Sequence, residues 1–422
     1  MSRFNDLFQL FEQTVLKRVA LSNHLIYPSF HTLVSPFLLK HRFVFADRKI
    51  VPMVHSLHIQ NKGSGKGEIQ KLVKNILIKA RKNAKVVNSF TSAGIIGSII
   101  PLKNNTTQQI KKLQGVDYIA IDEGSQITNE KNQHARTLKL ELNGYLDTNE
   151  VTKCMQRGDL NYLAYAVFSI GTYLESTIKI SFIQDGFFDR FLISAKIFSR
   201  QELKNLRQQI DEIATKENAM IIRDNIAKIC RLLNEIELEN GKEYYLSNDN
   251  VNYYYLKFEE MVNNFFIDDN LNFTIISIFE ESLARLKSNG HRIMTQYAII
   301  NGDDAITDDA IDYTIKVLTF HLKSYILLLQ QCKGLPNTNT RNNIKEITIT
   351  LLKDIIKANL DFSKKKFKDI LYSQYPFPRG FGLRRIIENQ PNQKSLLNEM
   401  IDANQIKIIE TRGNEQILQV VE

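Results

Sequence analysis

The sequence has little cysteine, and no arrangement of it that would bind a metal or form a disulfide framework. Its three cysteines (Cys154, Cys230 and Cys332) are far apart, and none belongs to a CxxC pair or stands near a matching histidine. The eight histidines show no metal-ligand spacing, and no GxSxG or Cys/His pair suggests another kind of hydrolase. These absences exclude a zinc finger and a disulfide-bonded scaffold, and they favour a reducing cytoplasm.

Long apolar runs are missing as well. No segment approaches about 18 consecutive apolar residues, so we expect no membrane span and no membrane partner. The N-terminal stretch MSRFNDLFQLFEQTV contains acidic residues and lacks a secretory cleavage signature. The chain has 422 residues, of which 43% are apolar, enough for about two or three domains. Its net charge of +9 suits a polyanionic partner.

One glycine-rich segment, QNKGSGKG (60–67), lies between the apolar run 53–59 and a helical pattern, 67–80. This order of strand, glycine-rich turn, lysine and helix is typical of a phosphate-binding loop, in which backbone N–H groups and a lysine hold phosphate oxygens. The full pattern has glycine at position 60 and serine or threonine at position 67, where this chain has Gln60 and Gly67. The predicted nucleotide-binding residues are Gly63, Ser64, Gly65, Lys66, Gly67 and Glu68.

A second motif supports the first. The segment VDYIAIDEGSQ (116–126) predicts a buried strand that ends in Asp122 and Glu123. A carboxylate pair at the tip of an apolar strand is the Walker B arrangement, in which the aspartate holds Mg²⁺ and the glutamate polarises the attacking water. The two motifs together predict that the chain binds ATP and Mg²⁺.

The pattern along the chain predicts an α/β fold with a P-loop core around a parallel sheet, a helical insertion and lid, and a C-terminal winged-helix domain. The sheet would include strands at 53–59, 85–90, 116–121 and 164–170, with helices at 67–82, 92–99 and 132–146 and a hairpin turning at 156–159. The predicted segments are an N-terminal helical extension (1–50), the ATPase core (51–198), a helical insertion and lid (199–332) interrupted by a loop at 238–250, a linker (333–343) and the winged helix (344–422).

In this order of parts, residues 53–320 resemble a AAA+ ATPase, and more narrowly the MCM-like replicative helicases of mobile elements and viruses. After the Walker B strand, a helix and the hairpin 149–165 stand where such helicases carry a hairpin that touches DNA in the central channel. The resemblance implies that Lys153 and Arg157 contact the DNA backbone. A solvated surface hairpin is the alternative interpretation. The resemblance extends over about 30–422, without a zinc-bearing N-terminal domain and without an account of 200–280.

The resemblance also implies residues that act on the γ-phosphate. Sensor 1 falls on Thr172, with Ser169 as second choice, near the end of the strand AVFSIGTY (166–173). The segment IQDGFFDRFLIS (183–194) is similar to the one that carries the MCM arginine finger, which places the finger at Arg190. An arginine finger stabilises charge on the nucleotide of the neighbouring subunit, so hydrolysis requires a homo-oligomer, in this family a hexamer.

Two open assignments follow from the same comparison. Arg190 could instead form a local ion pair with Asp189 or Asp185. The sensor 2 arginine maps to Arg285, with Arg292 as second choice.

The C-terminal segment combines three predicted helices (343–358, 363–373 and 393–403) with two strands around the turn 411–414. In a winged helix the third helix enters the major groove and the wing contacts the backbone. The candidate DNA-binding residues are Lys364, Lys365, Arg384, Arg385 and Arg412. The third helix carries only one lysine and two acids, so a protein-docking module is the alternative.

The expected function is that of an ATP-dependent DNA helicase or translocase, acting as a ring on single-stranded DNA during replication of a mobile or viral element, and associated with the nucleoid in the cytoplasm. The alternative is a weakly or non-hydrolysing replication initiator or loader that binds DNA in response to nucleotide, which the glycine at position 67 favours. A third interpretation is a remodeller whose substrate is protein.

Overall fold

The computed structural model describes residues 2–19, 23–61, 64–87, 91–101, 107–122, 124, 133–155, 158–173, 186–268, 273–331, 362–363, 406–412 and 415–420. The chain divides into two compact units. The first contains residues 1–270 and 277–332, and the second contains residues 271–276 and 333–422.

The helices, in chain order, are α1 (Arg3–Val19), α2 (Ile26–Val34), α3 (Lys66–Lys79), α4 (Ser92–Ile95), α5 (Gln133–Thr148), α6 (Arg200–Ile213), α7 (Lys216–Leu238), α8 (Asn248–Asp268), α9 (Phe273–Asn301) and α10 (Asp308–Gln331). The strands of the first unit are β1 (Arg42–Phe45), β2 (Arg48–Ile50), β3 (His55–Gln60), β4 (Ala84–Val87), β5 (Gly97–Pro101), β6 (Thr107–Lys111), β7 (Tyr118–Ile121), β8 (Glu150–Met155), β9 (Gly158–Leu163), β10 (Val167–Tyr173), β11 (Phe191–Lys196) and β12 (Glu243–Tyr244).

A five-stranded sheet with every neighbouring pair parallel forms the centre of the first unit, in the order β11-β3-β10-β7-β4. All residues of β3 and β7 are buried, as are nearly all of β10 and β11, which explains their continuous apolar character. Helix α3 packs against β4, β7 and β10, and α10 packs against β11. The predicted α/β class and its parallel sheet are confirmed.

The register of this sheet fixes which residues meet at each edge. Gln60 pairs with Tyr173 of β10 and with Lys196 of β11, so three strands end together at the carboxyl edge. Phe191 pairs with His55 at the opposite, amino edge. Because a strand rises about 3.3 Å per residue, the residue before Phe191 lies about 20 Å from the level of Gln60.

The N-terminal residues belong to the same core. Helix α1 buries Phe4, Leu7, Phe11 and Val15, a spacing of three and four residues that places all four on one helix face. Helix α2 is almost entirely buried and contacts α3, β3 and β10. The predicted N-terminal helices are therefore part of the hydrophobic core that supports the sheet.

One local prediction is wrong. The predicted helix at 92–99 ends at Ile95, and β5 follows and pairs antiparallel with β6. Gly97 explains the change, because its φ of +128° lies outside the range of a helix and a Cβ there would lie 2.0 Å from the carbonyl oxygen of Ile110. The predicted loop at 238–250 separates α7 from α8 as expected, and it includes the two-residue strand β12, which pairs in parallel with β1.

The predicted hairpin at 149–165 is confirmed as β8–β9, and it is joined to the unpredicted hairpin β5–β6. The amide of Leu113, just beyond β6, donates to the hydroxyl oxygen of Tyr162 in β9 at 3.3 Å, and that hydroxyl donates to the carbonyl of Ile96. Gln109 donates from Nε2 to the carbonyl of Asp159 at 3.2 Å. The two hairpins therefore form one connected structure.

The second unit contains a three-stranded antiparallel sheet made of β13 (Phe362–Ser363), β14 (Ile406–Arg412) and β15 (Glu415–Val420), in the order β13-β15-β14. The two strands predicted around the turn 411–414 are confirmed. The linker 333–343 and almost all of the three predicted helices lie outside the described residues, so the winged helix stays a prediction. Within the described part of the chain, no helix is both long and apolar enough to span a membrane.

Candidate functional site

The glycine-rich segment begins at the carboxyl edge of the sheet, where β3 ends in the buried Gln60. The hydroxyl of Ser64 lies 2.7 Å from Oε1 of Gln60 and 2.7 Å from the carbonyl oxygen of Asn61. The side chain of Asn61 accepts a 2.7 Å hydrogen bond from the amide of Phe198, just beyond β11. Gln60, which replaces the glycine of the usual pattern, thus closes the turn through its side chain and also contacts His24.

Helix α3 starts directly behind this turn. Gly65 is its N-cap and has a φ of +88°, a left-handed conformation that glycine adopts without strain. Lys66 is the first helical residue and is 3% exposed. The carboxylate of Glu68 is exposed and pairs with Lys71 at 2.7 Å, one turn along the helix. Gly63 lies outside the described residues.

Asp122 lies against this helix start. A Cβ atom on Gly67 would lie 3.0 Å from Oδ1 and 3.2 Å from Oδ2 of Asp122, so the carboxylate lies directly against position 67. Asp122 follows β7, and its carbonyl oxygen would lie 3.3 Å from a Cβ on Gly171 of β10. The structure therefore brings together the two motifs that the sequence separates by about 55 residues. Glu123 lies outside the described residues.

The two sensor 1 candidates occupy different places in β10. Ser169 lies inside the sheet, where its hydroxyl accepts from Ser56 at 3.0 Å and its carbonyl accepts from Nε2 of Gln70 at 2.8 Å. Thr172 is also buried but pairs with Ile59, one residue before the end of β3. Thr172 is thus the candidate next to the glycine-rich turn, and Ser169 connects β3, β10 and α3.

Tyr173, the last residue of β10, adds an aromatic ring to this edge. The ammonium nitrogen of Lys66 lies 3.5 Å from the centre of the Tyr173 ring, within the range of a cation–π interaction. Tyr173 is half-buried and pairs with Gln60 at the end of the strand.

A second polar cluster lies at the amino edge of the sheet. Arg190 comes directly before β11 and forms two hydrogen bonds with Asp147, from Nε to Oδ1 at 2.9 Å and from Nη2 to Oδ2 at 2.7 Å. Nη1 of Arg285 donates to the same Oδ1 at 2.9 Å. The side chain of Arg190 is 9% exposed, against 38% for Arg285 and 41% for Asp147. The predicted arginine finger and sensor 2 residue therefore share one carboxylate.

The other candidates near this cluster are arranged differently. Asp189 accepts a 2.8 Å hydrogen bond from the hydroxyl of Tyr325, and burial raises the pKa of its carboxyl. The local ion pair considered for Arg190 therefore forms with Asp147 rather than with Asp189, while Asp185 lies outside the described residues. Burial lowers the pKa of Arg292, and its Nε has no hydrogen-bond partner among the described residues.

The predicted DNA-binding residues lie mostly outside the described residues. This holds for Arg157, Lys364, Lys365, Arg384 and Arg385. Arg412 is the last residue of β14, beside the hairpin turn. Lys153 pairs across the hairpin with Leu160, two pairs before the turn, and its ammonium lies 3.2 Å from Oε1 of Glu141. In this conformation Lys153 is directed towards α5 and is 12% exposed at the side chain.

Sequence reasoning missed Asp147 and Tyr173. Asp147 is the next-to-last residue of α5, where a carboxylate is disfavoured by the helix dipole, so its position indicated a compensating cation elsewhere in the fold. Tyr173 had a weaker signal, since an aromatic residue at a strand end is common in any sheet.

At the carboxyl edge, Lys66 at the start of α3 and the carboxylate of Asp122 are the described residues that could hold a phosphate and a cation. No group of three His, Cys, Asp or Glu residues forms a metal site among the described residues. Mg²⁺ in nucleotide sites needs no such cage, since one or two carboxylates and the substrate phosphates suffice. A scan against protein-family models finds no match for this chain, and a search of curated proteins finds no similar sequence.

Proposed function

We propose that this chain is an ATP-dependent DNA helicase or translocase that works as a homo-oligomeric ring in the replication of a mobile or viral element. The observation that carries the proposal is the contact between position 67 of the glycine-rich segment and Asp122. A glycine-rich turn, a buried lysine at a helix N-terminus and a carboxylate at one edge of a parallel sheet form a phosphate site with its metal ligand.

The roles at this site follow from charge and position. The N-terminal N–H groups of α3 and the ammonium of Lys66 bind phosphate oxygens. Asp122 would hold Mg²⁺, which, when bound, neutralises charge on the β- and γ-phosphates. Glu123, the next residue in the chain, would orient the attacking water, and Thr172 would contact it from the end of β10. Glu68 is paired with Lys71 in this conformation, so Asp122 is the metal ligand of the described residues.

The arginine cluster supports an oligomer. Arg190 and Arg285 lie at the amino edge of the sheet, about 20 Å from the turn along the strands. Neither side chain reaches a nucleotide bound to its own subunit. An arginine that serves catalysis from this edge must therefore act on the nucleotide of a neighbour, which requires a head-to-tail interface, and such an interface forms a ring when its rotation closes. Arg292 is more deeply buried than Arg190 and Arg285, and it would add positive charge close to these two arginines.

The case for DNA as the partner rests on charge and on the hairpins. The chain carries a net charge of +9, and Arg157 stands in the sequence between the strands β8 and β9. Lys153 is paired with Glu141 and would have to leave this partner to contact the DNA backbone. Arg412, beside the turn of β14–β15, is the corresponding candidate in the second unit.

The first test is steady-state ATP hydrolysis with and without single-stranded DNA. We expect turnover that DNA stimulates, that Lys66→Ala abolishes and that Lys71→Ala preserves. Lys71 is the matched control because it lies one turn further along α3 and is exposed. No stimulation by DNA, or equal turnover in both variants, would contradict the motor.

A mixing experiment tests the shared site. Lys66→Ala and Arg190→Ala should each lack activity as pure proteins, since the loss of an arginine finger costs about a thousandfold or more. A mixture should regain part of the activity, because some interfaces would combine an intact Lys66 with an intact neighbouring Arg190. Failure to regain activity in mixed rings of confirmed composition would remove Arg190 from the neighbour's site.

One observation favours a second function, that of a nucleotide-dependent initiator or loader with little turnover. Gly67 carries no hydroxyl where the usual pattern has serine or threonine, and a Cβ atom at this position would lie only 3.0 Å from Oδ1 of Asp122. The metal therefore has one protein ligand fewer than in the usual pattern. The comparison is between the wild type and Glu123→Gln. If the wild type binds nucleotide and DNA but hydrolyses no ATP, so that Glu123→Gln has no turnover to lose, the initiator is the correct interpretation.

A further inference from the structure

We propose that Tyr173 is a positioning residue for Lys66: its ring face holds the lysine ammonium at the glycine-rich turn, ready for the phosphates of a nucleotide. This inference rests on the proposed function, since it concerns the same site. The ammonium nitrogen of Lys66 lies 3.5 Å from the centre of the Tyr173 ring.

The strand pattern explains why this ring faces Lys66. Side chains alternate along a strand, so Ser169, Gly171 and Tyr173 share one face of β10. Gln70 of α3 reaches that face, with Nε2 2.8 Å from the carbonyl of Ser169 and Oε1 3.3 Å from the position of a Cβ on Gly171. A small residue and a glycine let α3 lie close, and Tyr173 is the first large side chain at the edge where the helix begins.

The chemistry of the contact suits a waiting phosphate site. A carboxylate in the place of Tyr173 would neutralise the ammonium and compete with an incoming phosphate. A ring face attracts the cation through its quadrupole and carries no net charge, so the contact with the ring does not itself neutralise the ammonium. Lys66 is 3% exposed, and the ring supplies part of the cover that holds the flexible side chain in place. Holding it beforehand spares the loss of rotamer freedom when nucleotide binds.

The test compares Tyr173→Leu with Tyr173→Phe in calorimetric titrations of ADP with Mg²⁺. Leucine keeps an apolar side chain without a π face, whereas phenylalanine keeps the ring and removes only the hydroxyl. We expect Tyr173→Leu to weaken ADP binding about three- to tenfold and Tyr173→Phe to bind within about twofold of the wild type. Tyr165→Leu is the matched control, since Tyr165 packs at the amino end of the same strand against Val51, Met53 and Val167.

A double-mutant cycle shows whether the ring acts through the lysine. In a Lys66→Ala background, Tyr173→Leu should cause no further loss of ADP affinity. An equal loss in both backgrounds would mean that the ring acts independently of Lys66 and would overturn the inference.

A spectroscopic measurement needs no nucleotide. The chain contains no tryptophan, so Tyr173→Trp carries a single indole reporter. Its emission should change when Lys66→Ala is added and should not change when Lys71→Ala is added. Identical emission with and without Lys66 would overturn the inference.

The failures of the two proposals can be told apart. If the wild type binds no ADP, or if Lys66→Ala binds it as tightly, the proposed nucleotide site is wrong whatever the ring does. If ADP binding depends on Lys66 but Tyr173→Leu binds like the wild type, the site stands and the role of Tyr173 is wrong.

Discussion

Removing the charge of Asp147 tests the arginine cluster most directly. Asp147→Asn keeps the shape of the side chain but loses the carboxylate that accepts two hydrogen bonds from Arg190 and one from Arg285. Hydrogen bonds to charged groups contribute about 1.5–3 kcal/mol each when buried. Arg190 is nearly buried, but Asp147 is 41% exposed, and solvent screens such a pair.

One further effect sets the expected size of the loss in stability. Neutralising an acid at the C-terminal end of α5 relieves an unfavourable dipole interaction of about 0.3–1 kcal/mol. We therefore expect Asp147→Asn to lower the free energy of unfolding by about 1–2 kcal/mol. Arg190→Gln should cost more than Arg285→Gln, because Arg190 makes two of the three bonds and is the more buried.

The assay is urea unfolding followed by circular dichroism, with the slope of the transition compared between variants. Asp304→Asn serves as control, since Asp304 pairs with Lys242 at 2.6 Å but is 92% exposed, and it should leave the midpoint unchanged. The double variant of Asp147 and Arg190 should lose less than the sum of the single variants. An Asp147→Asn protein as stable as the wild type would refute the reasoning, because the charge of Asp147 would then contribute nothing to holding Arg190, which also donates to the carbonyl oxygen of Gly186.

Three other perturbations have defined outcomes. Gly67→Ala places a Cβ 3.0 Å from Asp122 and should weaken ADP binding about fivefold or more in the presence of Mg²⁺, as measured by calorimetry. Gly290→Ala places a Cβ 2.0 Å from the hydroxyl oxygen of the buried Tyr254, and urea unfolding should show a loss of about 2–3 kcal/mol. Burial lowers the pKa of His321 to about 3, so the unfolded chain binds its proton first and stability falls as the pH drops below 6.5. His321→Gln should remove about 1.4 kcal/mol per pH unit of that fall between pH 6 and 4, as measured by urea unfolding at each pH.

Each of these has its own control. For Gly67→Ala the control is the same titration without Mg²⁺, and an equal loss in both would point to the turn rather than to Asp122. Gly144→Ala is the control for Gly290→Ala, because a Cβ on this helical glycine meets nothing within 4 Å and should not destabilise the protein. A pH dependence that is the same with and without His321 would contradict the assignment of a neutral buried imidazole that accepts from the amide of Ile193.

The sheet could be predicted from the sequence because its strands are buried on both faces. Apolar runs such as 116–121 stand out against the amphipathic helices around them, and β14 and β15 are marked by the turn residues at 411–414. The hairpin β5–β6 was missed for the opposite reason. Its second strand, TQQIK, is largely exposed and polar, so it has no apolar alternation to reveal it.

Residues of the candidate site that belong to a local sequence motif could be predicted, whereas residues that are brought in only by tertiary contacts were missed. Lys66 and Asp122 each belong to a recognisable motif, and the structure brings the two motifs together. Asp147 belongs to no motif, and its partners stand 43 and 138 residues away. Such a pairing depends on the packing of α5 against the start of β11 and on the course of α9, which a single sequence does not determine.

The glycine-rich turn and the arginine pair lie at opposite edges of the sheet, and this determines how many complete sites an oligomer can contain. Each subunit would carry two half-sites, one at each end of the same strands. An open row of subunits would then have one complete site fewer than it has members, with an idle half-site at either end. Only closure of the row uses every half-site. The ATPase activity per subunit would therefore rise more steeply with protein concentration than nucleotide binding does. A subunit that lacks either half-site would also inactivate the complete site that it shares with its neighbour.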